Sequence, residues 1–199
     1  MSALFRFGRN LLAICMWFFH KIEFVGLENI PKQGSFIICS NHRTDMDPVY
    51  LAWKIKRQLY FMAKIELFRT PVLGYFIKKL EAFPVERGKG DTGAINYAIN
   101  IVASGKILAM FPEGTRSKDG KLLKGKSGIA VIASKSGGDV LPVGLSFTEP
   151  VRFRSKVVVR FGKIIPNSEL HIEDNKTSDI KAATLRIMSE ISALMEAKD

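Results

Sequence analysis

Short, largely apolar runs separated by helical stretches constrain this chain more than any other feature. Residues 35–39, 59–63, 106–111 and 140–147 each have the length and composition of a strand. Runs that are apolar on both faces belong inside a parallel sheet, where helices cover each side. Helical signals fall between them. Asp47-Pro48 opens a helix to about Lys56, with Asp47 as N-cap and Pro48 at the first helical position. Further helices are predicted over 71–81, over 91–103 closed by Gly105, and over 127–136 ended by Gly137-Gly138. Shorter strands fit 21–27, 82–85 and 156–161, with a Pro31/Gly34 turn over 28–34. A last helix over 176–197 carries Ile180, Thr184, Ile187, Met188, Ile191, Leu194 and Met195 on one face. Strands alternating with helices predict an α/β fold: a single layered domain over 21–199, with a mostly parallel central sheet flanked by helices. The 199 residues are enough for one such core and too few for two.

The first 20 residues read differently. The uninterrupted apolar run 11–19 is less than half of the about 20 residues a spanning helix needs. Arg6 and Arg9 interrupt the stretch before it. It has the basic start and short apolar core of a signal peptide, but His20, Lys21 and Ile22 follow in place of a small-residue cleavage site. The expectation is a retained, membrane-associating helix over 1–20, with Arg6 and Arg9 at headgroups and Trp17-Phe18-Phe19 at the interface. A buried first helix is the competing reading. A second candidate lipid face is 65–82, if Phe68, Val72, Leu73, Tyr75 and Phe76 are exposed beside Lys78 and Lys79.

The net charge is +11, and the whole excess lies in residues 1–160. Such a body attracts polyanions. The basic residues are scattered and no nucleic-acid motif is present, so an anionic lipid surface fits better than nucleic acid. Cys15 and Cys39 sit inside apolar runs, which suits small buried side chains in a reducing compartment rather than a disulfide or a metal site.

Three polar loops follow apolar runs and are the candidates for chemistry. Asn41 to Asp47 holds His42, whose neutral ring can take a proton from a hydroxyl. A carboxylate on its other nitrogen would strengthen it, and both Asp45 and Asp47 are within reach by spacing. Phe111 to Ser117 (FPEGTRS) turns at Pro112 and Gly114 and displays Glu113, Thr115, Arg116 and Ser117. Arginine and hydroxyls suit a phosphate, and glycine lets a ligand approach the backbone. Phe83 to Gly88 places Arg87 after a short strand. A nucleophile elbow, a GK[ST] phosphate loop, a dinucleotide glycine fingerprint and zinc-ligand spacing are all missing from the sequence. Direct attack by a substrate hydroxyl is therefore favoured over an acyl-enzyme.

At these residues the chain resembles the 1-acyl-glycerol-3-phosphate acyltransferases, within the larger glycerolipid acyltransferases. Asn41, His42 and Asp47 match the N-H-x4-D motif. Phe83 with Val85-Glu86-Arg87 resembles an F-x-x-R element with one spacing variation. Phe111–Ser117 matches F-P-E-G-T-R-S in full, and Val140-Leu141-Pro142-Val143-Gly144 resembles the apolar fourth motif. The resemblance covers about residues 20–165.

It implies that His42 deprotonates an acceptor hydroxyl and that Asp47, not Asp45, orients it. It implies that Arg87, Glu113, Gly114 and Arg116, with the basic Lys64, hold the glycerol phosphate. The acceptor would be a lysophospholipid and the donor acyl-CoA or acyl carrier protein. No cofactor or metal would be needed. The protein would be membrane-associated, on the cytoplasmic face. Another acceptor, such as glycerol 3-phosphate, and a non-enzymatic polyanion binder are the competing readings.

Overall fold

The computed structural model describes residues 14, 18–86, 91–148, 151–173 and 176–197. Of the predicted N-terminal helix over 1–20, residues 1–13 and 15–17 lie outside the described residues. The apolar runs pair into one seven-stranded sheet. Its strands are β1 (Lys21–Val25), β2 (Phe36–Ser40), β3 (Leu59–Lys64), β4 (Phe83–Val85), β5 (Ile107–Met110), β6 (Asp139–Phe147) and β7 (Lys156–Phe161). They lie in the order β1-β7-β6-β2-β5-β3-β4. Strands β6, β2, β5, β3 and β4 run parallel, β7 is antiparallel to β6, and β1 is parallel to β7. The sheet is mostly parallel, as the alternation predicts.

All five residues of β2 are buried, because both faces of the sheet are covered there. Ile37 and Cys39 face a core closed by α3 (Thr92–Ala103), α4 (Gly128–Ser136) and α5 (Thr177–Glu196). Phe36 and Ile38 face a second core, which meets Tyr50, Leu51 and Ala52 of α1 (Asp47–Trp53). Burial also pushes the Cys39 thiol well above its ordinary range, so it packs as an apolar side chain. Helix α2 (Pro71–Lys79) buries only Gly74. Among the described residues, no helix is long and apolar enough to cross a membrane.

Local chemistry sets the boundaries. Asp91 caps α3 by accepting from the Ala94 N–H at 2.9 Å, which holds its carboxyl below the usual range together with the Glu86 N–H. Gly137 closes α4 in the left-handed region, at φ 68°. The predicted apolar face of the last helix is buried at Ile180, Thr184, Ile187, Met188 and Ile191, with Leu194 and Met195 half-buried. One boundary differs from expectation. Met46, not Asp47, is the N-cap of α1, and the Asp47 side chain turns back to the preceding loop.

Strand β6 changes partner along its length. Residues 139–143 pair with β2 and residues 143–147 with β7. Val140 exchanges two hydrogen bonds with Ile165 on the β7 side, at 2.9 and 2.7 Å. Alternation turns the backbone nitrogen of Pro142 to that same side, where its carbonyl accepts the Gly162 N–H at 2.9 Å, so its missing N–H costs the β2 ladder nothing. Gly144 lies where α5 crosses. A Cβ there would meet the Leu194 carbonyl carbon at 2.7 Å and the Met195 nitrogen at 2.8 Å. Because the obstruction is backbone, Gly144→Ala should destabilise the fold by about 1–3 kcal/mol, read from denaturant unfolding.

Candidate active site

The site forms at the carboxyl ends of β2 and β5, the edge where open α/β sheets gather ligands. The loop leaving β2 is clamped at its first residue. The Asn41 amide accepts from the Leu145 N–H at 2.7 Å and donates to the Leu145 carbonyl at 2.9 Å. His42 is then tied through both backbone groups to the loop after β5. Its N–H donates to Glu113 Oε1 at 2.6 Å, and its carbonyl accepts from the Ser117 N–H at 2.8 Å. Arg43 Nη1 donates to the Ser117 carbonyl at 2.9 Å, a further link between the loops.

The His42 side chain is held as firmly. Nδ1 lies 2.7 Å from Asp47 Oδ2. Asp47 is fully buried, and Oδ2 also accepts from the Arg43 and Thr44 N–H groups at 2.6 and 2.9 Å. The Thr44 hydroxyl donates to Oδ1 at 2.6 Å. With these donors around it, Asp47 acts as the acceptor toward Nδ1, which places the imidazole proton on Nδ1 and the lone pair on Nε2. The Phe111 ring stacks on the imidazole, with centroids 4.0 Å apart and planes 13° apart. Among the described residues Nε2 has no hydrogen-bond partner. The ring is therefore fixed at one edge and on one face, with a basic nitrogen left over.

The two aspartates have separate partners. Asp47 holds His42, while Asp45 is exposed and ion-paired with Arg116. Glu113 departs from the phosphate-holding role that the resemblance implies. It is 3% exposed, and both carboxylate oxygens accept backbone N–H groups: His42 at Oε1 and Leu123 at Oε2, the latter at 2.8 Å. Burial raises its carboxyl above the ordinary value against the lowering by these two bonds. An inward carboxylate would also repel a phosphate, so its geometry suits a brace between loops. Lys64 forms an exposed ion pair with Glu66 at 3.2 Å. Arg87 lies outside the described residues, but Val85 and Glu86 before it line the cavity beside the site.

That cavity measures about 540 Å³, within the range of about 300–1,000 Å³ common for ligand sites. Met62, Ile95, Met110 and Val131 give it apolar walls, Phe111 and Pro112 join it to the His42 loop, and Lys126 and Lys135 add positive charge. Lys126 has no sequence signal of its own. Its importance comes from Gly114, which has φ 68° and no Cβ. A Cβ there would lie 2.7 Å from Lys126 Nζ and 2.8 Å from its Cε. The glycine thus makes room for an ammonium group against the FPEGTRS loop. Among the described residues, Lys126 has no carboxylate partner. A glycine twelve residues before a lysine is too loose a pattern to have pointed to this contact.

The arrangement suits proton transfer next to an anionic, partly apolar ligand. Comparison with known proteins agrees. The Acyltransferase family model matches residues 21–146, so the chain belongs to the acyltransferase family, and it is an O-acyltransferase. It is 32% identical over 197 residues to a 1-acyl-sn-glycerol-3-phosphate acyltransferase of Streptococcus pneumoniae, covering 94% of this chain and 72% of that protein. It is 31% identical over 140 residues to one of Bacillus subtilis, covering 70% and 69%. The crystal structure of the 1-acyl-sn-glycerophosphate (LPA) acyltransferase PlsC from Thermotoga maritima superposes with a TM-score of 0.71 at 25% identity, over 98% of this chain and 79% of that one.

Glu113→Gln tests the brace. One of the two N–H groups loses its acceptor and meets an amide NH2, which should cost about 1–3 kcal/mol of unfolding free energy. Transfer activity should fall with it, even at temperatures where the variant is fully folded, because His42 is no longer held in place.

Proposed function

We propose that this enzyme transfers a fatty acyl group from a thioester, acyl-CoA or acyl carrier protein, to the sn-2 hydroxyl of 1-acyl-sn-glycerol 3-phosphate, giving phosphatidic acid. The observation that carries the mechanism is the Asp47-bound imidazole with Nε2 unpartnered. Nε2 takes the acceptor hydroxyl proton as that oxygen attacks the thioester carbonyl. Asp47 stabilises the imidazolium that forms. Collapse of the tetrahedral intermediate breaks the carbon–sulfur bond, and His42 returns the proton to the departing thiolate. The steps as written use no metal or cofactor, because the thioester is already activated.

The acceptor phosphate is held by Arg116 and Lys126 at the FPEGTRS turn, with Arg87 as the further cation that the family motif supplies. The backbone at Gly114 is open to it. Apolar chain lies along the Met62, Ile95, Met110 and Val131 walls of the cavity. Both lipids reside in a bilayer, so the enzyme works at a membrane surface. The basic body supports an anionic leaflet and the cytoplasmic face.

The direct test is thiol release from an acyl thioester with and without 1-acyl-sn-glycerol 3-phosphate, with lipid products followed in parallel. Release should depend on the acceptor and yield phosphatidate. In His42→Ala it should fall by about 10²–10⁴-fold with the thermal midpoint preserved. Acceptor-independent release would make the enzyme a hydrolase, and release only with another acceptor would correct the substrate. A second outcome concerns the cations. Lys126→Gln removes one charged hydrogen bond and should raise KM for the acceptor about 10–100-fold, with a smaller change in kcat.

A further inference from the structure

Helix α2 is built inside out. A surface helix normally buries its apolar face and exposes its polar one. Here the one buried residue is Gly74, whose missing Cβ leaves room for the backbone of the preceding 3-10 turn, Ile65–Arg69: a Cβ would meet the Phe68 Cα at 3.1 Å. The opposite side turns outward and carries Val72, Leu73, Tyr75 and Phe76, exposed at 70, 43, 57 and 51%. Tyr75 and Phe76 pack edge to face at 5.7 Å, and the Lys79 ammonium lies 5.7 Å from the Tyr75 ring centre. Lys78, Lys79 and Arg69 border the patch and are exposed.

The topology fixes where this arc lies. Residues 65–79 follow the carboxyl end of β3, and β4 pairs only with the last three residues of that strand, Met62 to Lys64. The segment therefore sits on the same sheet edge as His42. A second apolar cluster lies on that edge across the site. Phe18, Phe19 and Phe153 form a ring triad with centroids 5.9 Å apart, all more than half exposed. They precede β1 and β7, whose first residues lie beside the carboxyl end of β6.

We infer that the outward arc of α2 is a bilayer-docking surface. It inserts Val72, Leu73, Tyr75 and Phe76 among the acyl chains of an anionic leaflet, while Arg69, Lys78 and Lys79 lie at the headgroups. Charge and apolarity together select a lipid surface: the patch is exposed, aromatic and rimmed by cations, and it lies on the same sheet edge as a site whose proposed substrates are lipids. The inference deepens the proposed function, yet its test reads insertion rather than catalysis.

The full chain is labelled at Val72→Cys with an environment-sensitive fluorophore, in a Cys15→Ser background with Cys39 left buried. Vesicles of phosphatidylglycerol and phosphatidylcholine, plain or brominated along the acyl chains, are then added. The expected result is a blue-shifted, brighter emission that brominated chains quench. Val72→Ser/Phe76→Ser should weaken vesicle partitioning at least about tenfold. The same double variant should keep its turnover of dispersed short-chain substrates within about twofold. A probe that stays aqueous on vesicle-bound protein, or protein that binds neither vesicle, overturns the inference. Absent acyl transfer with a normally inserted probe would instead count against the proposed reaction alone.

Discussion

The hydrogen bond from the His42 backbone N–H to the buried Glu113 carboxylate is the contact on which the site depends. It joins the loop after β2 to the loop after β5 at the residue whose imidazole the proposed mechanism uses. Glu113 then reaches the Leu123 N–H, which orders the chain leading toward α4. With the Ser117 N–H on the His42 carbonyl, these bonds leave the His42 backbone no freedom of its own. The Asp47 bond and the Phe111 ring can therefore fix the imidazole without a further support. A buried carboxylate is costly unless each oxygen finds donors. Glu113 meets that condition with one backbone N–H on each oxygen, and Asp47 with two backbone N–H groups on Oδ2 and the Thr44 hydroxyl on Oδ1, so the loops are folded around two buried carboxyl groups.

Much of the fold was legible. Strands such as β2 and β5 are buried on both faces and read as plain apolar runs, and helix ends at Asp91 and Gly137 carry their own capping chemistry. The pairing of His42 with one of two aspartates was narrowed by resemblance, not by spacing. The reason is physical: Asp47 turns back on its own loop instead of capping α1, and a sequence does not say which way a short carboxylate points. The surroundings of Glu113 were hidden for a related cause. A carboxylate in a polar loop looks like a displayed group, and only three-dimensional burial shows both oxygens taken. Lys126 was invisible because its meaning comes from a void at Gly114. The outward face of α2 was a conditional expectation, met at Val72, Leu73, Tyr75 and Phe76 but not at Phe68, which is half-buried in the turn against Gly74.

The site also explains why this sheet carries its irregularities where it does. Strand β6 must pair with β2, receive the Asn41 amide at Leu145 and then pass to β7. Pro142 and Gly144 sit at that handover, one tolerated because its missing N–H faces away from the β2 ladder and the other required by α5. The His42 loop is thus anchored to a strand whose own position is fixed by the last helix. Apolar clusters stand at both ends of the same edge, on either side of the cleft.

The central claim is that His42 and Asp47 act as one proton-transfer unit. A double-mutant cycle measures it most directly. His42→Ala, Asp47→Asn and the combined variant are compared with the parent for kcat/KM in acceptor-dependent thiol release, each confirmed folded. If the pair is a unit, Asp47→Asn costs activity in the parent and almost nothing once His42 is gone, so the double variant is no slower than His42→Ala. Independent losses, with the double variant slower by the product of the two single effects, would contradict the account.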